Sequence, residues 1–246
     1  MAEAGQDAGA VLDATADAGY QVVVVDAGPR QLADCGALRA VLRDFQSTHP
    51  DFEKTIADDR GVVQANLGAD SKPVYARAGA ATATVRNATS FDQWYRDVAG
   101  VNQRFEIDIP LTERAPGLFV FDDSEFFPLD GMGFGNQDED QQDRKRNFHF
   151  TTEVHTRFTY KGGENFRFTG DDDLWLFVNG KLVFDLGGVH GAQSANVDFD
   201  ARAAELGLTR GETYPMDIFH AERHTSESNF RIETSIACFE PPVVLN

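Results

Sequence analysis

The feature that most constrains this chain is an alternation of period two that begins near Gly100 and runs almost to the C-terminus. Phe105, Ile107 and Ile109 alternate with polar neighbours, and Phe148, Phe150, Thr152, Val154, Thr156 and Phe158 share one face of a longer run. Successive side chains of a strand point to opposite faces, so this pattern buries one face of a sheet. Further apolar runs follow at residues 118–121, 166–168, 174–178, 182–184, 197–199, 214–219 and 230–236, separated by Gly, Asn and Asp. Short strands with turn residues at roughly 8–12-residue spacing predict a mainly β fold, an antiparallel β-sandwich of jelly-roll type or a barrel. Asn179-Gly180, between LWLFV and KLVFD, predicts a two-residue hairpin.

Upstream the pattern changes. Leu38, Val41, Leu42 and Phe45 have helical spacing, closed by His49-Pro50. SFDQWYRDV predicts a second short helix with Ser90 as its N-cap. Residues 1–30 read as a disordered acidic leader in which Asp-Ala-Gly recurs at Asp7, Asp17 and Asp26, because small and acidic residues bury little. Within it only residues 22–25 are apolar enough to pair as a strand. Met1 is followed by Ala-Glu rather than a signal peptide, and an acidic Ala/Gly/Asp tail often follows a cleaved export signal or lipid anchor. The folded domain is expected over residues 31–240, with 131–147 a long polar surface loop.

Charge narrows the partners. The 246 residues carry 22 Lys+Arg against 40 Asp+Glu, a formal charge of −18. That balance argues against nucleic acid and anionic membranes, which need excess Lys/Arg, and is compatible with cations and neutral ligands such as sugars. No apolar run approaches the ~18 residues of a membrane span.

The sharpest chemical feature is TGDDDLWLFVNG, in which Asp171, Asp172 and Asp173 precede an apolar strand. In regular β geometry Asp172 and Asp173 diverge. For both to grip one ion the backbone must leave that geometry, as a cis peptide would allow, and a bound Ca²⁺ with its 6–8 oxygen ligands would offset the cost. The competing reading is a solvated acidic turn. Two histidine runs offer a rival metal site: His220, Glu222 and His224, and His149, Glu153 and His155, each on one face of a strand. Imidazoles with a carboxylate suit Zn²⁺, but neither run has the helical HExxH spacing. Adjacent carboxylates are poorer candidates for the separated acid and base of a glycosidase. No nucleophile elbow, P-loop or dinucleotide fingerprint is present, and the chain is read as a non-enzyme. Asp138, Asp140 and Asp143 in the polar loop are a weaker second Ca²⁺ candidate. Trp94, Trp175 and Phe177 read as packing residues rather than sugar platforms.

FRFTGDDDLWLFVNGKLVFDLGGVHG and TYPMDIFHAERHTSESNFRIETS closely resemble the fibro-slime domain of secreted surface proteins. So do RDFQSTHPDFE, SFDQWYRDVAGVN, FFPLDG and NFHFTTEVHTRF. That domain is similar to the protective-antigen-type β-sandwich of yeast flocculins and bacterial sugar-binding adhesin modules. The resemblance implies a Ca²⁺ held by two consecutive Asp joined by a cis peptide, with the ion ligating sugar hydroxyls. The matching pair is Asp172-Asp173. Glu222 stands where those lectins have Asn, and His224 and Ser226 match positions that offer backbone oxygens. Asp171 and His190 lie beside the expected site, and Gln193, Ser194 and Asn196, on the loop after His190, are the side chains expected to choose among sugars.

The resemblance also bears on Cys35 and Cys238, near opposite ends of the folded part. They are either two thiols or a disulfide, and an extracellular context favours the disulfide. The expected function is an extracellular or cell-surface, Ca²⁺-dependent module binding a glycan or polysaccharide in adhesion or matrix attachment. The alternative is a self-associating structural protein of a matrix or fibre in which Ca²⁺ rigidifies loops.

Overall fold

The alternating segments form two antiparallel sheets whose inner faces share one core. In the computed structural model of the chain, residues 22–23, 35 and 37–242 are described. In chain order the elements are β1 (Val22–Val23), β2 (Ala37–Phe45), β3 (Ala57–Asp58), α1 (Ala88–Asp92), β4 (Asn102–Pro110), β5 (Thr112–Ala115), β6 (Leu118–Asp123), β7 (Asp138–Glu139) and β8 (Lys145–Arg146). There follow β9 (Phe150–Thr159), β10 (Asn165–Gly170), β11 (Asp173–Val178), β12 (Lys181–Leu186), β13 (Gly188–Val189), β14 (Gln193–Asp198), α2 (Phe199–Leu206), β15 (Thr213–Glu222) and β16 (Phe230–Thr234). The larger sheet runs β1-β4-β2-β9-β15-β11-β12 and the smaller β14-β10-β16-β6-β5. Between them Phe150, Phe158, Leu174, Leu176 and Ile218 meet Phe121, Phe166, Phe168, Phe230 and Ile232.

A third layer explains why β11 is apolar from Leu174 to Val178. Leu174, Leu176 and Val178 face the sandwich core, while Trp175 and Phe177 face outward. The chain between β2 and β4 folds over that outer face as an irregular cap, and Val62, Tyr75, Phe91, Trp94 and Tyr95 pack there against Trp175, Phe177 and Phe219. A strand covered on both sides reads as a continuous apolar run. Trp94, Trp175 and Phe177 are thus packing residues, as expected. Asn179 and Gly180 both have positive φ (52° and 72°), the signature of the predicted hairpin turn.

Three expectations are corrected. Residues 38–45 are strand β2, not a helix: Leu38, Ala40 and Leu42 face the core, and β2 lies between β4 and β9. The segment ALRAVLRDF satisfies both periods, and pairing on both edges decides for the strand. Helix α1 begins earlier than expected. Its N-cap is Asn87, whose side chain accepts from the Ser90 amide at 3.0 Å, and Ser90 is the third residue of the resulting capping box. Phe199 opens helix α2 instead of ending a strand, with Asp198 capping its start and Gly207 (φ 73°) its end.

Cys35 and Cys238 are disulfide-bonded, tying the entrance of β2 to the segment after β16. Val22–Val23 pairs with Ile107 and Glu106 of β4; the remainder of the 1–30 leader lies outside the described residues. The 131–147 loop is mostly irregular and carries the small β7–β8 ladder. Asp140 within it is bound by Arg144 and Arg146.

On the outer face of the larger sheet Glu153 is almost fully buried and meets Arg43 Nη1 at 2.6 Å, Lys72 and His155. His155 Nδ1 meets Asp217 at 2.6 Å. Burial opposes charge on His155, but the bonds to Asp217 and Glu153 prevail and raise its pKa from 6.5 to about 9. The folded state therefore holds that proton more tightly than the unfolded chain does. This contribution to stability is complete below pH 6.5 and is lost as pH rises through 9. We expect a loss on the order of 3 kcal/mol across that interval, read by urea denaturation, and a flatter profile for His155→Gln. An equally steep profile in the variant would refute the assignment.

Candidate functional site

The acidic step lies where the chain leaves one sheet for the other: β10 belongs to the smaller sheet and β11 to the larger. Asp172 makes the crossing with a left-handed backbone, φ 54°. The backbone leaves β geometry here, yet it does not bring the Asp172 and Asp173 side chains together. The cis peptide, however, falls at Thr225–Ser226 among the described residues, and not at Asp172–Asp173. Both Asp172 oxygens accept backbone N–H groups, from His190 at 3.1 Å and Arg223 at 2.7 Å. Asp171 Oδ2 accepts from both the amide and the side chain of Asn229, each at 2.7 Å.

Asp173 does not share this direction. It is fully buried on the outer face of β11, where Oδ1 accepts from the Gly188 amide at 2.8 Å and Oδ2 pairs with Arg223 Nε. Gly188 (φ 127°) is needed for the close pairing of β13 with β3, since a Cβ there would lie 2.3 Å from Ala57 O. Arg223 is itself fully buried. Its Nη1 donates to Asp51 O (2.6 Å) and Thr84 O (2.9 Å), and its guanidinium lies 4.5 Å from the centre of the Trp94 ring. Burial opposes its charge, yet Asp173 and Asp172 together raise its pKa further. Arg223 thus joins the cap to the sheet. The sequence reading missed it, although an Arg between Glu222 and His224 at the end of an apolar strand was a visible signal.

Glu222 faces the opposite way from Arg223, as strand parity requires, and has no exposed surface. Neither of its carboxylate oxygens has a hydrogen-bond partner, and Asp171 Oδ1 has none either. Ser228 Oγ donates to Phe126 O and only weakly favours the Glu222 carboxylate, as does the His224 amide. Burial, then repulsion from Asp172 and Asp171, push the Glu222 carboxyl well above its usual range. Burial likewise raises Asp172 strongly and Asp171 less. A buried acid whose ionisation Asp172 and Asp171 oppose, with oxygens of Glu222 and Asp171 that lack partners, is an arrangement a cation would relieve.

Over this step opens a cleft of about 160 Å³ lined by Asp171, Asp172, His190, His224, Thr225 and Ser226, among others. A larger groove of about 260 Å³, walled by polar side chains including Gln141, Gln142 and Asn229, shares Ser226 and Glu227 with it. His190 lines the cleft, but its ring is held by Leu186 O and Gly191 O. The remaining expected residues are not gathered there. Gln193, Ser194 and Asn196 form strand β14 rather than a loop; Gln193 bonds Arg60 and Asp58, and Ser194 bonds Thr169. His220 points into the core among Phe126, Phe150, Phe168 and Phe230, and burial lowers its pKa to about 3. The two histidine runs do not assemble as runs: Glu153 and His155 join the outer ion network, while His149 bonds Glu53 at 2.8 Å.

This stretch of strands also carries a family signature. Residues 120–239 match the PA14 domain. The PA14 match therefore spans β10, the acidic step, β15 and Glu222. Among curated proteins, psiR of Dictyostelium discoideum is 41% identical over 213 residues, covering 81% of this chain and 21% of that protein. The psiD protein of the same organism is 41% identical over 215 residues, covering 82% of this chain and 42% of that one. The chain thus spans about a fifth of psiR and less than half of psiD. A solved structure described as a PA14 sugar-binding domain from an RTX adhesin is 11% identical, with a TM-score of 0.36 over 82% of this chain and 90% of that one. Among the described residues no helix is long and apolar enough to cross a membrane.

Proposed function

We propose that the chain is an extracellular carbohydrate-binding module of adhesion or matrix attachment whose binding cleft is completed by Ca²⁺. The observation that carries this reading is the set of buried, partnerless oxygens of Glu222 and Asp171 beneath a cleft in the PA14-matching region. Asp171, Asp172 and Glu222 would hold the ion; an all-oxygen, multiply anionic donor set favours Ca²⁺ over Zn²⁺. Bound there, Ca²⁺ would supply open coordination positions for vicinal sugar hydroxyls. The chain's own contribution is to keep the acids in place through the His190, Arg223 and Asn229 amides. The adjoining groove of Gln141, Gln142 and Asn229 offers the amide donors and acceptors that sugar recognition uses. The fibro-slime resemblance supports the ligand class, and the disulfide supports an oxidising compartment.

A glycan array with and without chelator tests this. The expected result is binding to a restricted set of sugars that disappears on chelation. Concentration-dependent self-association with no glycan binding would overturn it in favour of a matrix-assembly role.

A further inference from the structure

A second group of ligating side chains lies beside the cleft, and the site above does not use it. His149 Nε2 is 2.8 Å from Glu53 Oε1 and 3.6 Å from Asp138 Oδ2. The other Glu53 oxygen is 3.8 Å from His224 Nε2. These residues come from four places in the chain: the turns after β2, strand β7, the entrance of β9 and the loop after β15. One histidine from each of the two runs in the sequence thus meets the same carboxylate.

We propose that Glu53, Asp138, His149 and His224 form a binding site for a Zn²⁺-type divalent ion, distinct from the site at Asp171, Asp172 and Glu222. Two imidazoles and two carboxylates are a donor set that suits Zn²⁺ and not Ca²⁺. The ligating atoms of Glu53, Asp138 and His149 all lie within 4.8 Å of one another, close enough for one ion to draw them in. A plain His149–Glu53 hydrogen bond explains one contact only, and leaves Asp138 Oδ2 buried without a partner. The surroundings pre-orient the ligands. His224 Nδ1 bonds the Thr225 carbonyl, which directs the Nε2 lone pair outward, the outer hydrogen bond that metal-bound imidazoles carry. Glu53 sits at a left-handed backbone position (φ 53°) secured by its amide to Arg223 O at 2.8 Å. The His149 ring lies edge-on to Phe52 with centroids 5.9 Å apart. Because His224 and Thr225 also line the cleft, an ion here would tie that wall of the cleft to the turns after β2, to β7 and to the entrance of β9.

The test is calorimetric titration of tag-free, chelator-stripped protein with ZnCl₂. One ion per chain is expected, with affinity at least about tenfold weaker in Asp138→Asn and in His224→Gln, since losing even an outer-shell partner costs that much. Both side chains are partly exposed (38% and 24%), so the variants should keep the fold. Co²⁺ gives a second readout: visible absorption of a low-coordinate N/O site in the wild type, absent from the double variant. Glu222→Gln should leave Zn²⁺ binding unchanged, which separates this site from the Ca²⁺ reading whichever way that is decided. Absence of Zn²⁺ binding, or binding that survives Asp138→Asn/His224→Gln, would overturn the proposal.

Discussion

Arg223→Met is expected to destabilise the chain by about 3–5 kcal/mol, the cost of breaking a buried ion pair from one side. Methionine fills much of the volume but leaves Asp173 as an uncompensated buried carboxylate, with one remaining donor in the Gly188 amide. The carbonyls of Asp51 and Thr84 lose their guanidinium donor, and Trp94 loses the cation stacked on it. A native domain has only about 5–15 kcal/mol in hand, so the loss should be plain in a urea melt. Asp173→Asn should cost less alone, and the double variant less than the sum, because the two side chains serve each other. A change below about 1 kcal/mol for Arg223→Met would show that the cap does not depend on this pair.

Glu222→Gln is expected to remove the stabilisation that Ca²⁺ confers. In the wild type an ion that binds only the folded state should add roughly 2.7 kcal/mol at a hundredfold excess over its dissociation constant. In the absence of Ca²⁺ the variant should be at least as stable as the wild type, since its buried amide carries no charge for Asp171 and Asp172 to repel. Ca²⁺ must compete with protons for these raised carboxyls, so wild-type affinity should rise with pH. Mg²⁺ should substitute poorly because it demands octahedral geometry and dehydrates reluctantly. Asp173→Asn is the discriminating control. Its carboxylate faces Arg223 on the other side of the strand, so it should lower stability and leave the Ca²⁺ response intact. Calorimetry on these variants decides: Ca²⁺ heat unchanged in Glu222→Gln would sink the assignment.

Much of the fold was legible. Each alternating segment after Gly100 became a strand of one sheet or the other, and the Asn179-Gly180 turn took the expected place between β11 and β12. Where reading failed, two local signals competed. Residues 37–45 fit a helix and a strand equally, and α2 was hidden because Phe199 continues the strand alternation before Asp198 and Gly207 enclose a helix. The cap was not legible at all, since its residues have no period and are held by contacts with an outer sheet face that only folding creates.

The candidate site divides the same way. By itself the sequence determined a mainly β fold, sandwich or barrel, because side chains repeating every second residue can bury only as one face of a sheet. It also determined that Asp172 and Asp173 can face one ion only if the chain breaks strand geometry, because adjacent strand residues point to opposite faces. Only the tertiary structure decided which acid goes where. Asp172 takes the left-handed turn between the sheets, so parity restarts at Asp173 and sends it to the outer face. There it meets Arg223, a partner 50 residues away in the chain, while Glu222 beside that arginine turns inward toward Asp171 and Asp172. A charge buried at a strand end is held by whatever the neighbouring strand brings opposite it, and pairing between distant strands is not written in local spacing.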